Sequence, residues 1–196
     1  LRTFKTKSMK KNRYGKARSL TTEQLDQLIE YLPSNFHKTI ALVCRNTACR
    51  ISEACGLTWE CIEEEKILFP AWLVKGKLKT RDHPINQKLY ENLCDWRCEW
   101  ETIKGRKPTP KDYVFYGRFE GKPITTRSFM YALEKALERA KFGGCSSHTF
   151  RRSALSAASS KGIPLRHIME NSGHKSLQVL QRYLDVKEED QKKAAE

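Results

Sequence analysis

Apolar residues recur every three or four positions along most of the chain, the spacing typical of helices with one buried face. The first such stretch predicts a helix that Thr21 or Thr22 caps and that Pro33 ends. Its predicted core residues are Leu25, Leu28, Ile29 and Leu32. A second apolar run, residues 36–49, predicts a helix buried on most sides, and a shorter apolar stretch follows at residues 51–57.

The pattern then changes to that of a β-hairpin. Residues 66–74 are rich in Ile, Leu, Phe, Trp and Val and too short for a typical helix, so they predict a strand. Residues 75–79 read Lys-Gly-Lys-Leu-Lys and contain a turn signal, after which residues 80–85 return as a second strand. The sequence therefore predicts a small antiparallel sheet.

Helical spacing resumes after the hairpin and continues to the end of the pattern. One helix is predicted by Leu89, Leu93, Trp96, Trp100 and Ile103. Another, which Gly143 and Gly144 should close, is predicted by Phe129, Leu133, Ala136, Leu137 and Ala140. Three shorter helices are expected around 149–161, 164–171 and 176–184. The fold class is thus α+β, mainly α-helical, with a minor antiparallel sheet.

Length and charge indicate the domain organisation and the kind of molecule that the chain binds. The chain has 196 residues, with 37 Lys and Arg against 23 Asp and Glu, and a formal net charge of +14. We expect a flexible basic arm over residues 1–18, which hold eight basic residues and no acidic one, and a single folded domain over residues 19–196. The excess charge favours a polyanion such as nucleic acid. The alternative for the arm is a tail that only aids solubility.

Several classes of site are missing from the sequence. The longest apolar stretch, residues 67–74, is too short to span a bilayer, and no hydrophobic signal segment opens the chain. Seven cysteines form no C-x-x-C pair, so they predict buried free thiols in a reducing cytoplasm, with metal binding as the alternative. The phosphate-binding loop, G-x-G-x-x-G, H-E-x-x-H and G-x-S-x-G motifs do not occur. We therefore expect no cofactor, no metal and no membrane partner.

Three groups of residues carry candidate chemistry. Arg50 precedes Glu53 by three positions, so the two can meet on one helical turn, either as a functional pair or as a local salt bridge. His148 and Arg151 fall on one face at the start of a helix that Ser146 or Ser147 caps, where free amides favour an anion. The third group is Ser172, Gly173 and His174, with Tyr183 nine residues after the histidine. A tyrosine in that place also fits a core position, since Leu177, Leu180 and Leu184 should pack inward.

Taken together and in this order, the three groups and the hairpin lysines resemble the signature of tyrosine recombinases, the phage integrase family. The resemblance runs from about residue 20 to residue 186. It implies a tyrosine recombinase catalytic domain that cleaves and rejoins DNA through a covalent 3′-phosphotyrosyl intermediate. By this resemblance the catalytic residues are Arg50, His148, Arg151, His174 and Tyr183, with Glu53 in support and a hairpin lysine as the acid. Lys75 is the first choice for that lysine and Lys77 the second.

The resemblance also sets expectations about partners. We expect double-stranded DNA as substrate, a monomer in free solution, a tetramer on two DNA sites, and a bacterial, phage or mobile-element origin with a cytoplasmic, nucleoid-associated location. Residues expected to contact DNA are Lys10, Lys11, Arg13, Lys77, Lys79, Arg81 and Arg152. Two alternatives stay open, a DNA-binding relative without catalysis and a type IB topoisomerase-like strand relaxer. One departure from the family pattern is Ser172, which stands where a leucine is usual.

Overall fold

A computed structural model describes residues 17–74, 79–174 and 176–184. Over these residues it is mainly helical with one small sheet, which confirms the predicted fold class. The predicted lysines at 75 and 77 and the arm residues Lys10, Lys11 and Arg13 lie outside the described residues.

The first half of the chain forms three helices and a short turn. Helix α1 spans Thr22–Glu30, α2 spans Asn35–Thr47 and α3 spans Ile51–Cys55, followed by a 3₁₀ turn at Trp59–Cys61. Thr21, one of the two predicted caps, accepts a hydrogen bond from the Gln24 amide, and the Gln24 side chain bonds back to the Thr21 amide. This reciprocal pair satisfies two amides that the helix itself leaves unpaired, which is why the helix starts here.

The sheet consists of β1, Lys66–Phe69, and β2, Arg81–Pro84. The strands are antiparallel, with Lys66 opposite Pro84 and Phe69 opposite Arg81. The predicted strand over residues 66–74 was too long, because Pro70 breaks the ladder and its carbonyl accepts from the Leu73 amide in a turn.

Five helices complete the fold: α4 at Gln87–Lys104, α5 at Thr126–Ala140, α6 at His148–Ser160, α7 at Leu165–Ser172 and α8 at Leu177–Gln181. Two details differ from the sequence expectation. Ile103 is 54% exposed although it continues the apolar spacing of α4. Helix α5 ends before the glycines, because Lys141 adopts a left-handed φ of 57°.

Two hydrophobic clusters hold these elements together. The large one contains Trp96 and Trp100 of α4, as predicted, together with apolar residues of α1, α2 and α5. A smaller cluster joins Ala48, Leu155, Ile168 and Leu180, with Tyr183 packed against it. Leu177 was expected here but is 45% exposed. The small cluster fixes α6, α7 and α8 against the end of α2, and the candidate site lies among these elements.

No helix in the described ranges is long and apolar enough to cross a bilayer. Five of the seven cysteines are buried free thiols, as predicted, whereas Cys94 and Cys98 are exposed on α4, which contradicts the expectation for those two. The described residues also contain no group of three or more metal-ligating side chains.

Candidate active site

Arg50 lies at the junction between α2 and α3. Helix α2 ends because Ala48 takes a left-handed φ of 51°, and the chain re-enters a helix at Ile51. Glu53 is fully buried, and its carboxylate accepts hydrogen bonds from the Arg50 amide at 3.0 Å and from Arg50 Nη1 at 2.8 Å. The predicted Arg50–Glu53 contact is therefore present.

A second guanidinium reaches the same carboxylate from the sheet. Arg81 Nη2 donates to Glu53 Oε2 at 3.1 Å, and Arg81 Nη1 donates to the Ser172 carbonyl at 3.0 Å. Burial raises the pKa of the Glu53 carboxyl, but the Arg50 amide and the two guanidiniums outweigh burial and hold that pKa below its ordinary value. Glu53 is thus a buried anion that holds the Arg50 and Arg81 side chains in place.

Arg151 occupies the centre of the site. Helix α6 begins directly after Ser147, and the Ser146 hydroxyl accepts a hydrogen bond from the His148 amide. Arg151 therefore lies one turn into the helix. Its side chain is 1% exposed. Nη1 donates to the Ala48 carbonyl and Nη2 to the Ser172 carbonyl at 2.8 Å. Burial, followed by the charge of Arg50, lowers the pKa of Arg151 to about 10, so the guanidinium remains protonated at neutral pH.

His174 follows α7 directly. Gly173 takes a left-handed φ of 67° and turns the chain so that the imidazole lies buried beside Arg151. Its Nε2 lies 3.1 Å from Arg151 Nη2, and its Nδ1 lies 2.6 Å from Ser172 Oγ. Burial, followed by the charges of Arg151, Arg50 and Arg81, lowers the pKa of His174 to about 3. The imidazole is therefore neutral at physiological pH.

Tyr183 lies in the turn that follows α8 and is half-buried. Its ring centroid is 5.0 Å from that of His174 and 6.1 Å from that of His148. The Arg151 Cζ atom lies 5.6 Å from the same centroid. Side chains from α6 and from the residue that follows the Gly173 turn therefore meet around one phenol ring.

Helix α6 holds the tyrosine segment in place. Ser156 Oγ donates to the Tyr183 carbonyl at 3.2 Å, and Arg152 Nη1 donates to the Arg182 carbonyl at 3.2 Å. Both bonds end on backbone carbonyls of the turn, so they fix its path without engaging the phenol. Because α6 also carries His148 and Arg151, one helix sets the spacing between the tyrosine and two of its neighbours.

The residues expected to contact DNA occupy different environments. Lys79 is exposed, as a DNA contact requires. Arg81 and Arg152 are largely buried and bonded within the protein, a position that favours a supporting role over the DNA contact predicted for them. The strand alternation around Arg81, with exposed Asp82 beside it, is the sequence signal for an inward side chain. The bonding of Ser172 and Ser156 had no such signal, since a serine in a helix is usually solvated or bonded to its own backbone.

Comparison with known proteins adds a family to this geometry. A model of the phage integrase family matches residues 18–190. Tyrosine recombinase XerA of Pyrococcus furiosus is 29% identical over 182 residues, which cover 91% of this chain and 61% of the relative. The chain therefore spans about three-fifths of the length of that relative.

Two solved structures share the fold. The crystal structure of XerA recombinase aligns with a TM-score of 0.76 at 17% identity, over 92% of this chain and 65% of the other. XerH site-specific recombinase, solved bound to its difH substrate in a pre-cleavage complex, aligns with a TM-score of 0.68 at 21% identity, over 91% of this chain and 53% of the other.

Proposed function

The chain belongs to the phage integrase family of tyrosine recombinases, and from this premise we propose that it is a site-specific DNA recombinase that cleaves and rejoins strands through a 3′-phosphotyrosyl bond at Tyr183. One observation carries the proposal. Arg50 and Arg81 both pair with the buried Glu53 carboxylate, and a third guanidinium, that of Arg151, lies within electrostatic range of the same carboxylate and 5.6 Å from the centroid of the Tyr183 ring. The local excess of two positive charges suits a bound phosphodiester, because an anion entering a largely buried cationic site is strongly stabilised.

Double-stranded DNA is the proposed substrate. The net charge of +14 and the DNA-bound state of XerH support this choice. The Arg151 Nε–H is buried and has no hydrogen-bond partner among the described residues. An unpaired buried donor costs free energy that a phosphate oxygen in the site would recover.

The proposed reaction is a substitution at phosphorus. The Tyr183 oxygen forms a bond to the phosphorus, the bond to the 5′ oxygen breaks, and the electron pair leaves with that oxygen. His148, whose ring lies near that of Tyr183, accepts the phenol proton. A hairpin lysine, Lys75 or else Lys77, delivers a proton to the departing oxygen. Arg50 and Arg151 stabilise the charge on the non-bridging oxygens, and His174 supports the same charge by a hydrogen bond.

Rejoining needs no energy source, because the phosphotyrosyl bond keeps the energy of the bond that was broken. Attack by the 5′ hydroxyl of a second duplex exchanges strands. This requirement, together with the family, supports assembly of four protomers on two DNA sites.

Covalent capture tests the proposal. The substrate is a pool of duplexes, each with a nick close to a randomised cleavage position. Cutting releases the short fragment that carries the 5′ hydroxyl; once this fragment diffuses away, rejoining is impossible and the protein stays bound to the DNA. We expect wild-type protein to form complexes that survive denaturation, and Tyr183→Phe to form none because it lacks the attacking oxygen. Tyr90→Phe, a half-buried tyrosine on α4, is the matched control and should behave as wild type.

Equal trapping by wild type and Tyr183→Phe would contradict the proposal. Sequencing of the trapped DNA then provides the cognate site for an exchange assay between two labelled duplexes. Relaxation of supercoils without exchange would identify a strand relaxer in place of a recombinase.

A further inference from the structure

The two oxygens of the buried Glu53 carboxylate have different partners. Oε2 accepts from the Arg50 amide at 3.0 Å and from Arg81 Nη2 at 3.1 Å. Among the described residues, Oε1 accepts only from Arg50 Nη1, at 2.8 Å. A carboxylate oxygen has about two lone pairs, so the two donors at Oε2 use its capacity fully. The Arg50 guanidinium therefore has one acceptor on Glu53, although arginine and a carboxylate commonly form two parallel hydrogen bonds.

The single bond leaves most of the Arg50 guanidinium unengaged. Within the described ranges the Arg50 side chain makes no other hydrogen bond. This side chain is 25% exposed, whereas that of Arg81 is 9% exposed and that of Glu53 is fully buried. Of the two arginines that pair with Glu53, Arg50 is thus the one whose remaining N–H groups can face a bound phosphate.

Arg81 is held at Oε2 by contacts that do not involve Arg50. Its Nη1 donates to the Ser172 carbonyl at 3.0 Å, and its Cζ lies 4.8 Å from the centroid of the Phe69 ring, which is opposite in the sheet. Gly173, which has no Cβ atom, leaves the space that Nη1 fills. A planar guanidinium can bond to two separate acceptors and lie over a ring at once, which an ammonium group cannot do.

We propose that Arg81 is a positioning residue for strand cleavage, which occupies Glu53 Oε2 and so keeps the Arg50 guanidinium in a one-bond pair, with its other N–H groups available to the phosphate. This inference rests on the proposed function. Without Arg81, a lone pair of Oε2 is vacant, and the Arg50 guanidinium can turn into a two-bond pair with Glu53 that withdraws it from the DNA. Arg81 then acts on the reaction through Arg50 and makes no contact with DNA itself.

A crystal structure of Arg81→Met tests the pairing without any DNA. Methionine keeps a long, flexible apolar chain that can pack on Phe69, but it has no donor for Oε2. We expect the Arg50 guanidinium to make one hydrogen bond to Glu53 in the wild-type protein and two in the variant. An Arg50 that keeps a single bond in Arg81→Met would overturn the proposal, as would a two-bond pair in the wild type.

Cleavage kinetics test the consequence for the reaction. We expect Arg81→Met to bind DNA within about threefold of wild type but to form the covalent complex about 10- to 100-fold more slowly at saturating DNA, because a misplaced group in the site costs rate. Arg45→Met is the matched control, since it also removes a guanidinium paired with a carboxylate, that of Asp26 on α1, and should cleave at the wild-type rate. Weaker binding with an unchanged rate at saturating DNA would indicate a DNA contact and contradict the positioning role.

A second substitution separates this role from a general loss of packing. Glu53→Gln removes the charge that captures Arg50, so the double variant should form the covalent complex about 5- to 10-fold faster than Arg81→Met alone. In the Glu53→Gln background, Arg81→Met should change the rate by less than about twofold, a comparison that does not require the single Arg81→Met protein to fold. If Arg81→Met slows cleavage as much in that background as in the wild type, the proposal is wrong.

The role of Arg81 and the recombinase function fail under different outcomes. If Arg81→Met forms the covalent complex as fast as Arg45→Met, the role of Arg81 is wrong while the recombinase function stands. If wild-type protein forms no covalent complex at all, the proposed function fails and the role of Arg81 in cleavage fails with it.

Discussion

Gly173 is placed where any side chain would displace Arg81. A Cβ atom there would lie 2.4 Å from Arg81 Nη1, and the backbone φ is +67°. Gly162 has a similar φ of +76°, but nothing lies within 4 Å of its Cβ position. A comparison of alanine substitutions at the two glycines therefore separates the free-energy cost of the left-handed backbone from the cost of moving Arg81 away from Glu53.

We expect Gly162→Ala to lower the free energy of unfolding by about 1 kcal/mol, the cost of a left-handed residue with a Cβ atom. Gly173→Ala should lower it by about 2–4 kcal/mol, because buried hydrogen bonds of Arg81 are also broken. Denaturant unfolding of both variants measures the difference. Equal decreases would mean that Arg81 can move at no cost.

The lowered pKa of His174 has a consequence for stability against pH. The pKa is about 3 in the folded protein and ordinarily 6.5, so between these values the unfolded chain binds a proton that the folded protein does not. Stability must then fall as the pH drops through that window, by at most about 1.4 kcal/mol per pH unit. Glu53 adds a decrease only below its ordinary pKa of 4.5, so measurements between pH 7.5 and 5 leave out the contribution of Glu53.

We expect the free energy of unfolding of wild type to decrease more between pH 7.5 and 5 than that of His174→Gln, which has no imidazole at this position. His37 and His83, whose pKa values are also lowered by burial, are present in both proteins and cancel in the comparison. Urea unfolding at the two pH values provides the measurement. Parallel decreases in the two proteins would show that His174 is not the buried neutral group described here.

At the scale of elements, α6 determines where the tyrosine turn lies. Arg152 Nη1 bonds to the Arg182 carbonyl, and Ser156 Oγ bonds to the Tyr183 carbonyl. If Arg152 acts through this bond, Arg152→Met should speed hydrogen exchange at residues 180–184 and slow covalent capture, with little change in DNA affinity. If it contacts DNA instead, affinity should fall and exchange should not change.

Lys161→Gln is the matched control for this prediction, because it removes one positive charge at the exposed far end of the same helix. Exchange mass spectrometry and DNA binding at fixed salt are the two measurements. If Arg152→Met slowed covalent capture only because the protein bound DNA more weakly, that result would contradict the supporting role of Arg152.

The sequence predicted elements best where one local rule decided the outcome. Thr21 and Gln24 determine the start of α1 by their own side chains, and the tryptophans of α4 follow helical spacing into the core. The prediction that Leu177 packs inward is wrong, because α8 is short and Leu177, its first residue, lies at the edge of the small cluster. Spacing alone does not determine burial at such an edge. The bonding of Arg81 within the protein could not be predicted for a different reason. Its partners, Glu53 and the Ser172 carbonyl, are 28 and 91 residues away, and no local pattern encodes contacts at that separation.

Across the whole molecule, the chain's positive charge is unevenly distributed between the arm and the folded domain. Residues 1–18 supply eight of the net charges, and the first described contact with the domain is the Arg18 amide, which donates to the Gly144 carbonyl at 2.8 Å. A protein that begins at residue 17 therefore keeps this contact and lacks seven basic side chains. It is the natural test of whether the arm binds DNA or only aids solubility.

We expect removal of residues 1–16 to leave the unfolding midpoint unchanged, weaken DNA binding and make it less dependent on salt. For every phosphate that the arm no longer neutralises, the slope of log affinity against log salt should become shallower by about 0.9, because one condensed counterion is no longer released. A full-length variant with the seven basic residues of this segment changed to glutamine separates charge from length and should match the deletion. Binding isotherms from low to physiological salt decide the question: an unchanged slope in both variants would make the arm a solubilising tail and leave DNA affinity to the folded domain.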